Sequence, residues 1–294
     1  MQVDTGDRFK TTKKVGTFGI IGNIFLLVIK GTAGIISRSQ AMIADSINSA
    51  GDIFASLMTF IGNKIASTPI DDDHNFGHGK AEYIFSLFIS ISMIIASVKT
   101  AIDSITNLFR KSELTFSWWL VAVCITTIVV KIFLYIYTRI AYKKCNNILL
   151  EASMEDHRND CVITTTTLIS ILLSLKGIYW VDCVVGIGIA MWIFKTGIEI
   201  FHESFNVLMD ASIDEETKDM ILNTVKAYKD VKTIRSISST PVGYQYLIFL
   251  VIEVDGEMTT YNSHKLADEI EESISSLNKI SKAIVHVEPY IEND

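Results

Sequence analysis

Two apolar stretches of the 294-residue sequence are interrupted by carboxylates at helical spacing. One reads Ala44-Asp45-Ser46-Ile47-Asn48-Ser49-Ala50-Gly51-Asp52, the other Asp156-His157-Arg158-Asn159-Asp160. On a helix Asn48 and Asp52 share a face, Asp45 lies a turn before Asn48 on the same side, and Asp156 and Asp160 pair likewise. A charge in mid-bilayer is costly, so an ionisable group there reads first as functional. Two i,i+4 oxygen pairs on two helices are placed to converge on one cation inside a bundle. The plain alternative is that these groups cap helices, pair with lysines or hydrogen-bond to neighbours. A third cluster runs Asp71-Asp72-Asp73-His74-Asn75-Phe76-Gly77-His78-Gly79-Lys80-Ala81-Glu82. Its Asp71, His74 and His78 offer a mixed oxygen and nitrogen metal site in a loop, with a solvated acidic loop as the alternative. His202-Glu203 does not extend to HExxH, the four cysteines form no CxxC, and no nucleophile–base pair stands out. Neither an enzyme nor a disulfide scaffold is expected.

The elements that must position these residues are membrane spans. The chain is 49% hydrophobic and 20% charged, with mean hydropathy +0.34. Six segments approach the roughly 20 apolar residues a spanning helix needs: Val15–Ile36, Gln40–Asn63, Glu82–Leu108, Phe116–Ala141, Leu149–Leu175 and Tyr179–Leu208. The second and fifth are the least apolar, and they carry the carboxylates. Six spans put both termini on one side, with Arg8, Lys10, Lys13, Lys14, Lys64, Lys80, Arg139, Lys143 and Lys144. Arg38, Arg110, Lys111 and Lys176 fall on the other, which predicts cytoplasmic termini in a multi-pass cell-membrane protein. Residues 1–14 read as a tail ahead of the bundle, 15–208 as the bundle, and 209–294 as a soluble domain. Lys30, Lys99, Lys131 and Lys195 lie in apolar runs, where snorkelling or pairing inside the bundle is expected. Gly16, Gly19, Gly22, Gly31, Gly34, Gly186 and Gly188 read as packing contacts.

Of the net charge of −7, the stretch from Asp210 onward carries the acidic excess, with 8 basic against 16 acidic side chains. No basic patch suited to nucleic acid is visible. Ser212 and Glu215 have capping-box spacing for a helix to about Tyr228. Strands are predicted over Val231–Ser238 and Tyr244–Val254 about a turn at Pro241–Gly243, then a helix over Thr260–Leu277 and a strand over Ala283–Val287. The order α-β-β-α-β describes a small α+β, ferredoxin-like domain, too small to bury much core alone and suited to pairing with a second copy.

Together these residues resemble the cation diffusion facilitator family. The likeness rests on Ala44-Asp45 through Asp52-Ile53-Phe54-Ala55-Ser56, on the stretch from Asp71 to Glu82, on the second pair at Asp156 and Asp160, and on the tail. It implies a homodimeric divalent-cation/proton antiporter in the lipid bilayer that exports metal by alternating access. The transport site implied is Asn48, Asp52, Asp156 and Asp160. A loop site is implied at Asp71, His74 and His78, and a Lys80–Asp210 salt bridge at the junction of membrane and tail. Zinc-carrying members have His where this chain has Asp156, and often where it has Asn48. The all-oxygen set resembles the manganese-type branch, and oxygen donors suit Mn²⁺, with Fe²⁺ the nearest rival and Zn²⁺ favouring imidazole. In the tail, Arg235 and Val251 stand where some zinc members hold metal with histidine, leaving His264, His286 and Glu288 as weak candidates. The three carboxylates give the site a formal charge of −3, which a divalent ion only partly neutralises. Crowding among them on metal release favours proton uptake and the return step, with Asp45 and His157 as candidate relays. A zinc or broad-range exporter of the same family is the alternative reading, and a metal-gated channel or sensor the alternative of another class. No resident cofactor is expected.

Overall fold

The computed structural model describes residues 5–37, 40–110, 118–174 and 180–291. It contains six long helices: α1 (Thr5–Ser37), α2 (Gln40–Ala66), α3 (Ala81–Arg110), α4 (Trp118–Cys145), α5 (Ile148–Ser174) and α6 (Trp180–Leu208). A small domain follows with α7 (Glu215–Lys226), β1 (Val231–Val242), β2 (Gln245–Val254), α8 (Thr260–Ser275) and β3 (Ile280–Pro289). The chain divides into two compact units, Met1–Thr68 with Ala81–Phe205, and Pro69–Lys80 with Asn206–Asp294. The 69–80 loop therefore groups with the tail rather than with the bundle.

By length and composition, four of the helices are apolar enough to cross a membrane among the described residues, over Gly6–Ala33, Ala81–Thr106, Trp118–Cys145 and Val184–Leu208. Four of the six expected spans meet that measure; α2 and α5 do not. Helices α2 and α5 have 27 residues each, roughly 40 Å at 1.5 Å per residue, so length does not disqualify them. Their mid-helix polar residues are what set them apart from the other four. Residues 5–14, expected as a tail, form the first turns of α1. Arg8 explains the difference, because it is buried and bonds through Nη1 and Nη2 to the Glu82 carboxylate at 2.7 and 2.6 Å. Asn147 Nδ2 donates to the same carboxylate at 2.9 Å, and Arg8 Nε donates to the Cys145 carbonyl at 3.3 Å. One buried ion pair thus ties the start of α1, the start of α3 and the α4–α5 joint.

Within this unit α1 packs along α2 and α4 along α5, while α3 meets both α2 and α5. A methyl group on Gly16 would lie 3.1 Å from the Phe60 backbone, and one on Gly19 would lie 2.7 Å from Ser56 Oγ. The small residues of α1 are small because α2 runs against them. Gly186 is pressed against Ser104 in the same way, whereas Gly188 meets nothing within 4 Å. Gly34 lies outside the described side chains.

In the second unit the sheet order is β1-β2-β3, with β1 and β2 antiparallel and β2 and β3 parallel. The parallel pair is joined through α8, as a crossover requires. Ile221, Val225, Ile248, Leu250, Ile252, Ile270 and Ile274 form its core. The helix α7 is capped by Asp214 rather than Ser212. Asp214 has extended backbone angles, and its Oδ1 accepts from Thr217 N at 2.8 Å. The turn also comes later than expected. Pro241 and Val242 still pair with β2, and Gly243, with φ +64, makes the reversal.

Candidate metal centre

Helices α2 and α5 bring their carboxylates to one place. A cavity of about 290 Å³ is lined by Asp52 of α2, by Asp156, Asn159 and Asp160 of α5, by Lys99, Thr100 and Asp103 of α3, and by apolar side chains that include Ile193 of α6. The i,i+4 spacing on α5 works as the sequence suggests, since Asp156 and Asp160 stand on the cavity side together. Ligand atoms of Asp156, His157 and Asp160 all lie within 4.8 Å of one another. His157 is buried and its Nδ1 has no hydrogen-bond partner, so a nitrogen lies beside carboxylates where only oxygen is expected. The side chains of Asn48 and Asp45 lie outside the described residues.

Asp52 is held in place from α1. Asn23, fully buried, donates through Nδ2 to the Asp52 carbonyl and to Ser56 Oγ, both at 3.0 Å. A Thr59–Ser153 hydroxyl contact of 2.5 Å further joins α2 to α5. These buried polar bonds fix the register of the two carboxylate helices, because slippage would leave each group unpaired in an apolar interior.

Two residues at this centre are missed by sequence reasoning. Lys131 of α4 is 1% exposed; its Nζ lies 2.8 Å from Asp52 Oδ2 and bonds Asp160 Oδ2 as well. Pairing inside the bundle is the expectation for this lysine, but its spacing gives no sign that the partners are the site carboxylates. Its ammonium offsets one of the three negative charges of Asp52, Asp156 and Asp160. The second is Asn159, which is 4% exposed and lines the cavity with neither amide atom hydrogen-bonded. Its signal was its place one residue before Asp160. Lys195, by contrast, is exposed and pairs along its own helix with Glu199 at 3.6 Å.

The loop cluster also assembles. His74 Nδ1 lies 3.3 Å from Asp71 Oδ1, His78 Nε2 lies 3.6 Å from Asp71 Oδ2, and the two rings are 4.2 Å apart. Their ligand atoms fall within 4.8 Å of one another. The backbone N–H of His74 donates to Asp71 at 2.7 Å and, with the histidines, holds that carboxyl below its usual range. Lys80 Nζ lies 2.7 Å from Asp210 Oδ1. Gly79 is required here, since a Cβ would lie 2.8 Å from the Gly243 backbone.

Among the described residues, the tail candidates do not form a cluster. His264 pairs with Asp268 on α8 at 3.5 Å, while His286 and Glu288 sit on β3, where Arg235 bonds Glu288. A guanidinium now occupies the carboxylate that a tail metal would use.

The transmembrane domain of cation efflux proteins matches residues 17–209, and their cytoplasmic dimerisation domain matches residues 213–290. The manganese efflux system protein MneP of Bacillus subtilis is 30% identical over 294 residues, with 97% of this chain and 99% of that one covered. MneS of the same organism, also a manganese efflux system protein, is 28% identical over 283 residues, covering 96% and 97%. Among solved structures, the metal-bound C-terminal domain of the CzcD transporter from Thermotoga maritima is 26% identical, with 26% of this chain and 94% of that one covered at a TM-score of 0.25.

Proposed function

This chain belongs to the cation efflux, or cation diffusion facilitator, family of membrane transporters, and from that premise we propose that it exports Mn²⁺ from the cytoplasm in exchange for protons. The observation that carries the reading is the single cavity onto which Asp52, Asp156 and Asp160 converge. Hard oxygen donors match Mn²⁺ and Fe²⁺ better than Zn²⁺, and the manganese-efflux relatives point the same way. Asn48 completes the set from α2, one turn from Asp52. Helices α2 and α5 cross the bilayer inside the bundle, their polar faces turned to the cavity and not to lipid, and both termini are cytoplasmic. Asp71, His74 and His78 form a second place for a divalent ion. The carboxylates bind metal when deprotonated and release it as protons compete, so one site serves both in alternating access. His157 and Asp45 are the candidate relays. A broad-range exporter that includes Zn²⁺ is the second reading, favoured by the His157 nitrogen beside Asp156 and Asp160.

Purified protein in sealed vesicles tests this. With an imposed pH gradient, Mn²⁺ should accumulate above its outside concentration, Fe²⁺ less and Zn²⁺ and Cd²⁺ least, while Asp52→Asn is inactive. Dissipation without accumulation would assign a channel instead. Equal uptake of Zn²⁺ would assign the broad-range exporter.

A further inference from the structure

Lys131 bonds two of the transport carboxylates at once, and it is not among the side chains that line the cavity. Its Nζ bonds Asp52 Oδ2 and Asp160 Oδ2, yet Lys131 takes no part in lining the cavity that those two carboxylates line. Each of these two carboxylates therefore has one oxygen, Oδ2, on the ammonium. We propose that Lys131 is a charge-setting and positioning residue of the transport site. It holds the Asp52 and Asp160 carboxylates together and offsets one unit of the negative charge that the ion meets there. This rests on the transport-site reading above and extends it to how the site selects by charge.

The physical argument is Coulombic. A fixed positive charge within a few ångströms of the bound ion repels it, and the repulsion grows in proportion to ionic charge. In a site shielded from water that repulsion is little screened. One positive charge beside the ion therefore costs a trivalent ion more than a divalent one. The ammonium also offsets the crowding of Asp52 and Asp160 before metal arrives, so the site stays assembled through the return step. Helix α4 is the element that can supply it. Lys131 belongs to a buried stripe of α4 with Cys124, Thr127, Leu134 and Thr138, and α4 packs directly along α5.

Binding of Mn²⁺ and of Tb³⁺, the latter read by its luminescence, should be measured on the purified full chain in detergent for a set of variants. Lys131→Gln should tighten Mn²⁺ binding at least tenfold and Tb³⁺ binding by a larger factor, while Lys131→Arg stays within threefold of wild type for both. A loss of packing alone would not scale with ion charge. The second arm avoids an uncompensated carboxylate. Asp160→Asn alone removes one negative charge and should weaken Mn²⁺ binding at least tenfold, and adding Lys131→Gln should recover most of that loss. Unchanged or weaker Mn²⁺ binding in Lys131→Gln, or no recovery in the double variant, overturns the inference. Asp52→Asn separates the two readings: if it binds Mn²⁺ like wild type, the transport-site assignment itself fails. If it loses binding while the Lys131 arms show no effect, only the role of Lys131 fails.

Discussion

In the proposed transport site Asn48 and Asp156 offer oxygen where imidazole would favour Zn²⁺. Changing both to His adds two nitrogens and removes one carboxylate, which favours tetrahedral Zn²⁺ over Mn²⁺. Asn48→His/Asp156→His should lose proton-driven Mn²⁺ uptake and gain Zn²⁺ uptake in everted vesicles, with Asp52→Ala as the dead control. A double variant that still prefers Mn²⁺ would place selectivity in the packing around the site. Asn159 acts at the same scale. Its buried, unbonded amide faces the cavity, and a carbonyl oxygen there suits the same hard ions. Asn159→Ala should raise the Mn²⁺ Kd about tenfold, in line with the roughly 0.5–1.5 kcal/mol of one hydrogen-bonding group, without abolishing transport.

Helix ends carry the next set of consequences. The Arg8–Glu82 pair joins α1 to α3 where both side chains are almost wholly buried. Removing one partner strands a buried charge, at a cost of about 3–5 kcal/mol, whereas replacing both with apolar groups of similar volume is often nearly neutral. Arg8→Met should therefore lower the thermal stability of the detergent-solubilised protein sharply. Arg8→Met/Glu82→Leu should recover most of that loss. At the start of α7, Asp214 caps the helix, and the Thr217 N–H holds its carboxyl below the ordinary 3.8. A depressed carboxylate stabilises the folded state at pH values above its unfolded value and loses that contribution as pH falls through the folded one. Asp214→Ala should destabilise α7 by about 1 kcal/mol at neutral pH. The gap from wild type should close below pH 3.8, as read from hydrogen exchange of the α7 amides corrected for intrinsic rate.

For the assembled protein, the tail matters through pairing. It is the family's dimerisation domain, and Arg235 bonds Glu288 on the sheet face where His286 also lies. With that carboxylate already neutralised by a guanidinium, the dimer should need no tail metal. The full chain should remain dimeric by light scattering after exhaustive chelation, and a clean shift to monomer would show that a metal holds the tails together.

The order of elements and the shared face of Asp156 and Asp160 were legible in the sequence because both are local. Apolar run length sets the helices, i,i+4 spacing puts Asp156 and Asp160 on one face, and alternation marks β2 and β3. Asp214 displaced Ser212 as the cap because the choice turns on which backbone angle and side-chain reach meet the first free N–H, a matter of ångströms that spacing alone does not resolve. Arg8 drew ten residues of supposed tail into α1 through a contact with Glu82, 74 positions away. Lys131 could be placed in an apolar run from sequence, but its bonds to Asp52 and Asp160 arise only when α4, α2 and α5 pack together. Composition and periodicity report what each segment buries. Which charge a buried charge faces is decided between segments, and only the tertiary structure brings those segments within bonding distance.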